Sequence, residues 1–483
     1  MNILFVAAEA SPFAKVGGLG DVIGSLPLEL RRAGHDARIV LPHYGTIREQ
    51  FDIVNRDTFF FQFLGISEEV RVTEVRLKNC VPLYLIGNDH YFNRLAVYGE
   101  MDDGERFQFF SRVAMEIPIR LNWKPDVIHC HDWHTAVCAA LLKVNYRQHP
   151  LYRETASVFT IHNLAYQGWI DDPFIWKTGL QDYLLPPGDP LRGKTYSMMG
   201  IGIASADIVT TVSKTYAREI LTPEYGCGME ELLLSRKDSL FGILNGIDVE
   251  EFNPATDPRI PAQYDVNTLD KKLKNKRALQ KMVGLPVNTD TPLVGMAGRL
   301  VHQKGPDITV EALETLLPET DVQFIFQGTG ETRYKELMEK LESLEVRRAR
   351  LFFVLDFNLA DLIYAGSDMF LVPSRYEPCG LAPMIAMRYG TIPVVRKTGG
   401  LAETVTDCSP DLSIGLGFVF EKYDAGELRQ ALRRAIEAYK NRDKWRELMK
   451  RAMEVDFSWR KSIPEYERVY SLARERAIAR NST

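Results

Sequence analysis

Residues 2–34 read NILFVAAEASPFAKVGGLGDVIGSLPLELRRAG. The apolar run from Ile3 to Ala8 has the character of a buried strand, and LGDVIGSLPLELRRAG has the apolar spacing of a helix ending at Gly34. The loop between them sets Lys15 just ahead of Gly17, Gly18 and Gly20. In α/β proteins a loop that leaves a strand and opens a helix often holds phosphate on free backbone N–H groups, and glycine there also serves a merely tight turn; both readings stand at this point. A dehydrogenase fingerprint does not stand. Counted from Gly18 and Gly20, the third glycine of G-x-G-x-x-G falls on Ile23, with Gly24 one residue late.

The same strand-then-helix alternation continues outward from this unit. NILFVAA, DARIVLP, VPLYLIG, PDVIHC, ASVFTIHN and ADIVTTVS occupy the first half, and TPLVGMAGRL, DVQFIFQGTG, ARLFFVLD, SDMFLVPS, TIPVVRKTGG and GLGFVF restart the pattern in the second. Short β-branched runs separated by helical segments predict an α/β fold with two doubly wound parallel sheets. The passage between the domains is placed near residues 242–262, where a polar, proline-bearing stretch leads into the basic helix DKKLKNKRALQKM. The expected domains are 1–245 and 246–456, and a charged amphipathic helix over about 457–483 can fold back onto either domain, the first included.

Composition agrees with this plan. A chain of 483 residues corresponds to two or three domains at roughly 100–200 residues each. Apolar content of 45%, charged content of 25% and a net charge of -5 from 59 basic and 64 acidic residues give no strong pull toward nucleic acid or a membrane. The six cysteines lack a CxxC pair or zinc spacing, which argues against a disulfide framework or a structural metal and for a reducing compartment. No apolar stretch approaches the ~20 residues of a membrane span, and no signal-peptide pattern opens the chain.

Several polar clusters fall at the ends of expected strands, where open α/β sheets bind ligands. GRLVHQKG brings Arg299 and Lys304 to the end of one strand, where two cations could neutralise a diphosphate; a solvated loop is the bland reading. PSRYEPCGLAPMIAMRYG sets Glu377 before a helix that begins near Leu381, so that the N–H groups of Gly380 and Leu381 point out of a helix N-terminus. An ionised Glu377 only accepts hydrogen bonds and so suits sugar hydroxyls, while Cys379 reads as a small packing residue. KTGGLAETV, with Thr398 and Gly399, is a second strand-to-helix glycine turn that could seat a ribose or phosphate. In the first half HCHDWHT at 129–135, IHNLAYQG at 161–168 and NGID at 245–248 supply further candidates. His129, His131 and His134 lack the helical pair spacing of a metal site, and no metal is expected. GDPLRGKT at 188–195 matches the ATP-binding pattern letter for letter, but Pro186 and Pro187 stand where a buried strand should lead into it, so it is read as accidental.

Taken together and in order, KVGGLGDV, HDWHT, HNLAYQG, TPEYG, LNGID, GRL with QKG, YEPCGL and TGGLAETV resemble the glycogen and starch synthases of glycosyltransferase family 5, from Ile3 to about Trp459. The resemblance implies a GT-B fold, two Rossmann-like domains facing across a cleft. It also implies retaining transfer of glucose from ADP-glucose to the nonreducing end of an α-1,4-glucan such as glycogen, starch or a maltooligosaccharide, without cofactor, metal, nucleic acid or membrane. Lys15, Gly17, Gly18 and Asp21 then match the family's nucleotide-diphosphate loop, and Arg299 and Lys304 its cations on the diphosphate. Glu377, Cys379, Gly380 and Leu381 match its donor-sugar and phosphate segment, with Thr398 and Gly399 beside it. His162, Asn163 and Asn245 match positions near the transferred glucose, and Asp132 and Trp133 match residues near the acceptor.

The residue types suit that chemistry, because breaking a glycosyl–phosphate bond builds negative charge on the leaving diphosphate, which cations and helix N-termini stabilise. The implied attack is from the front face through an oxocarbenium-like state, the leaving phosphate taking the acceptor's proton, with the His162 carbonyl and the Glu377 carboxylate shaping the sugar side. Two departures stand out: Ala382 and Pro383 where the family usually shows Thr-Gln, and, in GKTYSMMGIGIASADIVTTVS, no lysine at Met199 or a neighbour, where the family often carries one. A UDP-glucose-using transferase and a noncatalytic glucan-binding homologue are the competing functions. The implied compartment is a bacterial cytoplasm, or a plastid stroma after removal of a transit peptide.

Overall fold

The computed structural model describes residues 1–47, 54–78, 80–354 and 356–482. The chain divides into two compact units, Met1–Gly246 joined by Trp459–Thr483, and Ile247–Ser458.

In the first unit the strands are β1 (Asn2–Val6), β2 (Asp36–Pro42), β3 (Val54–Phe63), β4 (Ile66–Leu77), β5 (Val81–Gly87), β6 (Val127–His131), β7 (Ala156–Ile161), β8 (Ile208–Thr211) and β9 (Leu240–Gly242). They form one sheet in the order β3-β4-β5-β2-β1-β6-β7-β8-β9. From β5 to β9 every pairing is parallel, with Ile3 opposite both Ala37 and Val127. β1, β5, β6, β7 and β8 are buried almost throughout, which is why they read as unbroken apolar runs: helices cover both faces.

β3 and β4 escape that reading. They are antiparallel, joined by a two-residue turn at Leu64 and Gly65, both with positive φ, as tight hairpins require. In β4, Val70 and Val72 are buried while Glu69 and Arg71 face solvent, so the strand alternates and carries no apolar run.

The opening helix runs Gly18–Arg32, and Gly34 lies just past it at φ 94. The C-terminal helix Ile463–Ser482 belongs to this first unit: Tyr466, Val469, Tyr470, Ala473 and Ala477 are buried in its core. Ahead of that helix the buried Trp459 donates its indole N–H to Ser25 Oγ at 2.7 Å, and Ser462 Oγ donates to the Leu244 carbonyl at 2.5 Å. Residue 483 of the expected helix lies outside the described residues.

The second unit holds β10 (Leu293–Ala297), β11 (Gln323–Gln327), β12 (Ala349–Phe352), β13 (Met369–Val372), β14 (Ile392–Arg396) and β15 (Phe418–Phe420), in the order β12-β11-β10-β13-β14-β15 and parallel throughout. Each of the six apolar runs of the second half contributes a strand; residue 355 of ARLFFVLD lies outside the described residues. The basic helix Lys272–Met282 is not a solvated face. Lys272 and Lys276 are buried, Lys276 donating to Asp368 Oδ2 at 2.6 Å and Lys272 to Thr391 Oγ1 at 2.7 Å, so these cations anchor the helix instead of solvating it.

In both sheets the winding reverses once. Strand order runs outward from β1 through β2 to β5 and then resumes on the other side at β6; likewise outward from β10 to β12 and then back to β13. The loops after β1 and β6, and after β10 and β13, therefore flank the reversal, the position at which open α/β sheets leave a crevice beyond their strand ends. Among the described residues no helix is long and apolar enough to cross a membrane.

Candidate functional site

In the first unit the loop after β1 is organised by a residue that sequence reading missed. Glu9 is buried, and its Oε2 accepts the N–H groups of Val16 at 2.6 Å and Gly17 at 2.8 Å, while its Oε1 accepts the Tyr98 hydroxyl at 2.7 Å. Those two N–H groups are thus occupied, and the Lys15 ammonium is the loop's cationic donor. Lys15 Nζ donates to Asp21 Oδ1 at 2.6 Å, and both side chains keep about a quarter of their surface exposed (26% and 22%). Asp21 lies in the first helical turn, where the helix N-terminus favours a carboxylate.

Two of the glycines have different reasons to be there. A Cβ on Gly20 would stand 3.1 Å from Lys15 Cγ, so Gly20 lets the lysine lie across the helix start. A Cβ on Gly17 would meet nothing within 4 Å, and its φ of -146 suits any residue. Local packing therefore does not require glycine at position 17. Gly18 opens the helix.

After β6, Asp132 has φ 56 and ψ -179, a conformation that costs a non-glycine residue of the order of 1–3 kcal/mol and persists only where its surroundings impose it. The imposition is visible. Its N–H donates to the Thr160 carbonyl at 2.9 Å, and its Oδ1 accepts the N–H of His162 at 2.7 Å and of Asn163 at 3.4 Å. Asp132 thereby splices the end of β6 to the end of β7. Loss of water raises its carboxyl to about 7, with the Glu9 carboxylate adding to the rise and the two N–H donors opposing it.

Trp133 follows Asp132, and its ring lies against the backbone of Gly168, where a Cβ would stand 2.4 Å from Trp133 Cε3. Asn163 Oδ1 accepts the Ala165 N–H at 3.1 Å and turns the chain after His162. Gln167, absent from the expected site, donates through Nε2 to the Cys227 carbonyl at 2.9 Å and so ties the HNLAYQG loop to the TPEYG loop. The amide pattern of that loop was the available signal. Asn245 is buried, and its Oδ1 meets no hydrogen-bond donor among the described residues.

The three histidines of HCHDWHT are not a metal set. His129 is buried between the Tyr470 hydroxyl, 2.9 Å from Nδ1, and Thr160 Oγ1, 2.6 Å from Nε2. His131 Nδ1 faces His162 Nε2 at 2.9 Å, and His134 stacks with Tyr98. Burial holds His162 and His134 down to about 3, and holds His129 and His131 well below the ordinary imidazole range, so all four are neutral near pH 7. Among the described residues no group of three His, Cys, Asp or Glu side chains is arranged to hold a metal ion. GDPLRGKT follows the short turn Gln181–Tyr183 instead of a strand, and Lys194 lies 3.4 Å from Glu231.

In the second unit the loops after β10 and β13 close on one carboxylate, that of Glu377, and the loop after β14 meets the backbone carbonyl of the same residue. Lys304 Nζ donates to Glu377 Oε2 at 2.6 Å, and Ser374 Oγ donates to the same oxygen at 2.7 Å. The Glu377 carbonyl accepts the Gly400 N–H at 3.1 Å. Gly399 and Gly400 make this contact possible, since a Cβ on either would stand 1.9 Å from the carbonyl oxygen of Glu377 or Cys379 respectively. Gly305, at φ 70, passes under the Pro373 carbonyl in the same way.

Arg299 lies two residues past β10, after Gly298. Cys379 is buried, Gly380 caps the helix Leu381–Arg388 at φ 85, and Thr398 is buried in the turn after β14. Pro383 falls in the first turn of that helix, where an N–H has no intrahelical acceptor to lose. Met199, the other departure, is fully buried, and its N–H donates to the Gln167 carbonyl at 3.0 Å.

Comparison with known proteins places these features in a family. Residues 2–235 match the family model of the starch synthase catalytic domain, and residues 280–451 match that of glycosyl transferases group 1. Glycogen synthase 2 of Geobacter sulfurreducens is 42% identical over 482 residues, covering 98% of this chain and 99% of the relative. Glycogen synthase of Bacillus subtilis is 43% identical over 474 residues, covering 97% and 98%. Among solved structures, the catalytic domain of starch synthase IV from Arabidopsis thaliana, bound to ADP and acarbose, superposes with a TM-score of 0.92 at 37% identity, covering 98% of this chain and 99% of that one. Sucrose-phosphate synthase from Thermosynechococcus elongatus, at TM-score 0.61 and 18% identity over 98% of both chains, shares the fold.

Proposed function

The chain belongs to the glycogen and starch synthase family of glycosyltransferases and has the GT-B fold of two Rossmann-like domains, and from that premise we propose that it is an ADP-glucose:α-1,4-glucan 4-α-glucosyltransferase. It extends the nonreducing end of glycogen, starch or a maltooligosaccharide by one glucose, with retention, and releases ADP. The observation that carries this reading is the Lys304–Glu377 pair, held at the winding reversal of the second sheet in a chain that matches glycogen synthases over nearly its full length. The solved relative bound to ADP and acarbose supports a nucleotide diphosphate and a glucan as the two ligands.

In this reading Arg299 and Lys304 take the diphosphate, with the N–H groups at the start of the helix Leu381–Arg388 and the turn at Thr398 and Gly399 beside them. Lys304 is already oriented by Glu377, so little ordering remains when the leaving group develops charge. Glu377, unable to donate when ionised, accepts from sugar hydroxyls. Lys15 is a nucleotide-sugar-binding cation of the first unit and leaves Asp21 to reach its ligand. Gly17 is kept free of a side chain for the ligand, since among the described residues no atom stands within 4 Å of where its Cβ would be. His162 acts as a neutral group beside the glucose, through its ring and its carbonyl, with Asn163 and Asn245 near it. Asp132 and Trp133 face the acceptor, Trp133 offering an apolar ring for a glucose face. The soluble bacterial or plastid-stromal setting goes with this reading.

Release of ADP or UDP from ADP-glucose and UDP-glucose, each with maltooligosaccharide, tests the reading. ADP-glucose is expected to be used in strong preference. Preference for UDP-glucose would replace the donor assignment, and folded protein that binds glucan without turning over either donor would replace the enzymatic one.

A further inference from the structure

The hydrogen bond between His131 Nδ1 and His162 Nε2, 2.9 Å long, has a direction that the surroundings of His131 decide. A neutral imidazole carries one N–H and one lone pair. If His162 donated through Nε2, His131 would accept at Nδ1 and carry its own proton on Nε2. That Nε2 is fully buried and meets no partner among the described residues. A buried N–H without an acceptor is rarer and costlier than a buried lone pair without a donor. With the direction reversed, His131 donates through Nδ1, its lone pair faces the unpartnered side, and His162 accepts at Nε2.

We infer that His131 is a positioning residue: it donates through Nδ1 to His162 Nε2 and confines His162 to the tautomer protonated on Nδ1, so that the ring offers a donor, not a lone pair, to the sugar. This rests on the reading above that His162 lies beside the transferred glucose. The ring of His131 is well fixed for the task. Its backbone N–H donates to Thr135 Oγ1 at 2.6 Å, Thr135 Oγ1 donates back to the His131 carbonyl at 2.9 Å, and its ring stacks on Phe5 at 5.7 Å with an interplanar angle of 14°. His129 lies 4.2 Å away, ring to ring, and is itself held at both nitrogens. A second proton on His131 would face these neighbours with no water to screen it, and burial keeps both members of the pair neutral. His162 is fixed from its other end by the backbone bond to Asp132.

The test is nitrogen NMR of the full chain labelled with ¹⁵N-histidine, His162 being assigned by the signals lost in His162→Gln. A protonated Nδ1 and unprotonated Nε2 are expected for His162, unchanged between about pH 5.5 and 8. His131→Phe keeps a ring but no donor; it is expected to shift His162 toward the other tautomer and to lower kcat for glucosyl transfer about tenfold, with KM for glucan unchanged. His131→Asn, whose amide nitrogen can stand near the place of Nδ1, is expected to restore most of both. A protonated Nε2 on His162 in the unaltered chain overturns the inference, and that spectrum decides it even if His131→Phe does not fold. An unaltered His162 spectrum in folded His131→Phe overturns it as well. A chain that shows the expected tautomer but transfers no sugar overturns the functional reading and leaves the tautomer assignment standing.

Discussion

Lys304 and Glu377 are separated by 73 positions in the chain, yet the ammonium of one meets the carboxylate of the other at 2.6 Å. They meet because β10 and β13 are neighbours at the point where the second sheet reverses its winding, so the two loops leave adjacent strand ends. The pair is only partly exposed, 24% and 9%, and Ser374 adds a second donor to the same oxygen. Its geometry is set before any ligand arrives.

Replacing Glu377 with Gln removes the charge that orients Lys304 and turns one of its two acceptor oxygens into a donor, while keeping the shape. Turnover is expected to fall by about 10²–10³, as when one preorganised electrostatic group is lost. Initial rates of ADP release, from protein shown by circular dichroism to be folded, decide the matter; near-normal turnover would remove Glu377 from the mechanism.

Lys15→Ala is expected to raise KM for the sugar nucleotide about 10- to 100-fold, the worth of a charge-assisted hydrogen bond, and to leave KM for glucan nearly unchanged. An equal rise in both would mean that Lys15 organises the domain instead of the donor. Gly17→Ala is a companion with a different logic: its backbone and surroundings accept a methyl, so melting temperature should hold while donor affinity falls.

Gly168→Ala is predicted to act on the acceptor. The position has φ 60, which costs a residue with a Cβ roughly 1–2 kcal/mol, and the added methyl would displace Trp133. A lowered unfolding midpoint, a change in tryptophan fluorescence and a raised KM for maltooligosaccharide are expected together, with KM for the donor largely spared. Loss of stability without any change in acceptor KM would separate Trp133 from the glucan.

Asp132 sets a pH dependence of stability whose sign follows from its raised carboxyl, about 7 in the folded chain against 3.8 unfolded. Between those values the folded state keeps a proton that the unfolded state releases. Its contribution is therefore fully present below about pH 4 and is lost as pH rises through about 7, with a slope of at most about 1.4 kcal/mol per pH unit. Urea unfolding of the wild type and of Asp132→Asn at several pH values between 4.5 and 7.5 measures it. The variant, which keeps an oxygen for the His162 N–H, is expected to lose this part of the slope; identical slopes would show that Asp132 is ionised throughout.

Much of the fold was legible because it rests on local patterns. Twelve apolar runs were read as strands, six in each half, and strands stand at all of them, since a strand covered on both faces must be apolar along its length. The β3–β4 hairpin and the short β9 were missed for the complementary reason: β4 alternates, with one face to solvent, and β9 is only three residues long. In the candidate site the glycines and charged residues at strand ends were legible as residue types. Glu9 was not, because a single acidic residue past a strand carries no pattern, and its value lies in two N–H groups seven and eight positions later. The pairing of His131 with His162 was hidden for the same reason, the two being 31 positions apart.

The sequence by itself determined where strands and helices run and which residue types stand at strand ends, because side-chain periodicity and glycine turns are properties of neighbours along the chain. Only the tertiary structure decided which of those ends lie together. Strand order is chosen by packing between segments far apart in sequence, and that choice sets Glu377 on Lys304, Asp132 on the His162 backbone and the C-terminal helix against the first sheet. It also decided protonation: burial among Tyr470, Thr160, Phe5 and each other makes His129 and His131 of HCHDWHT neutral hydrogen-bonding groups.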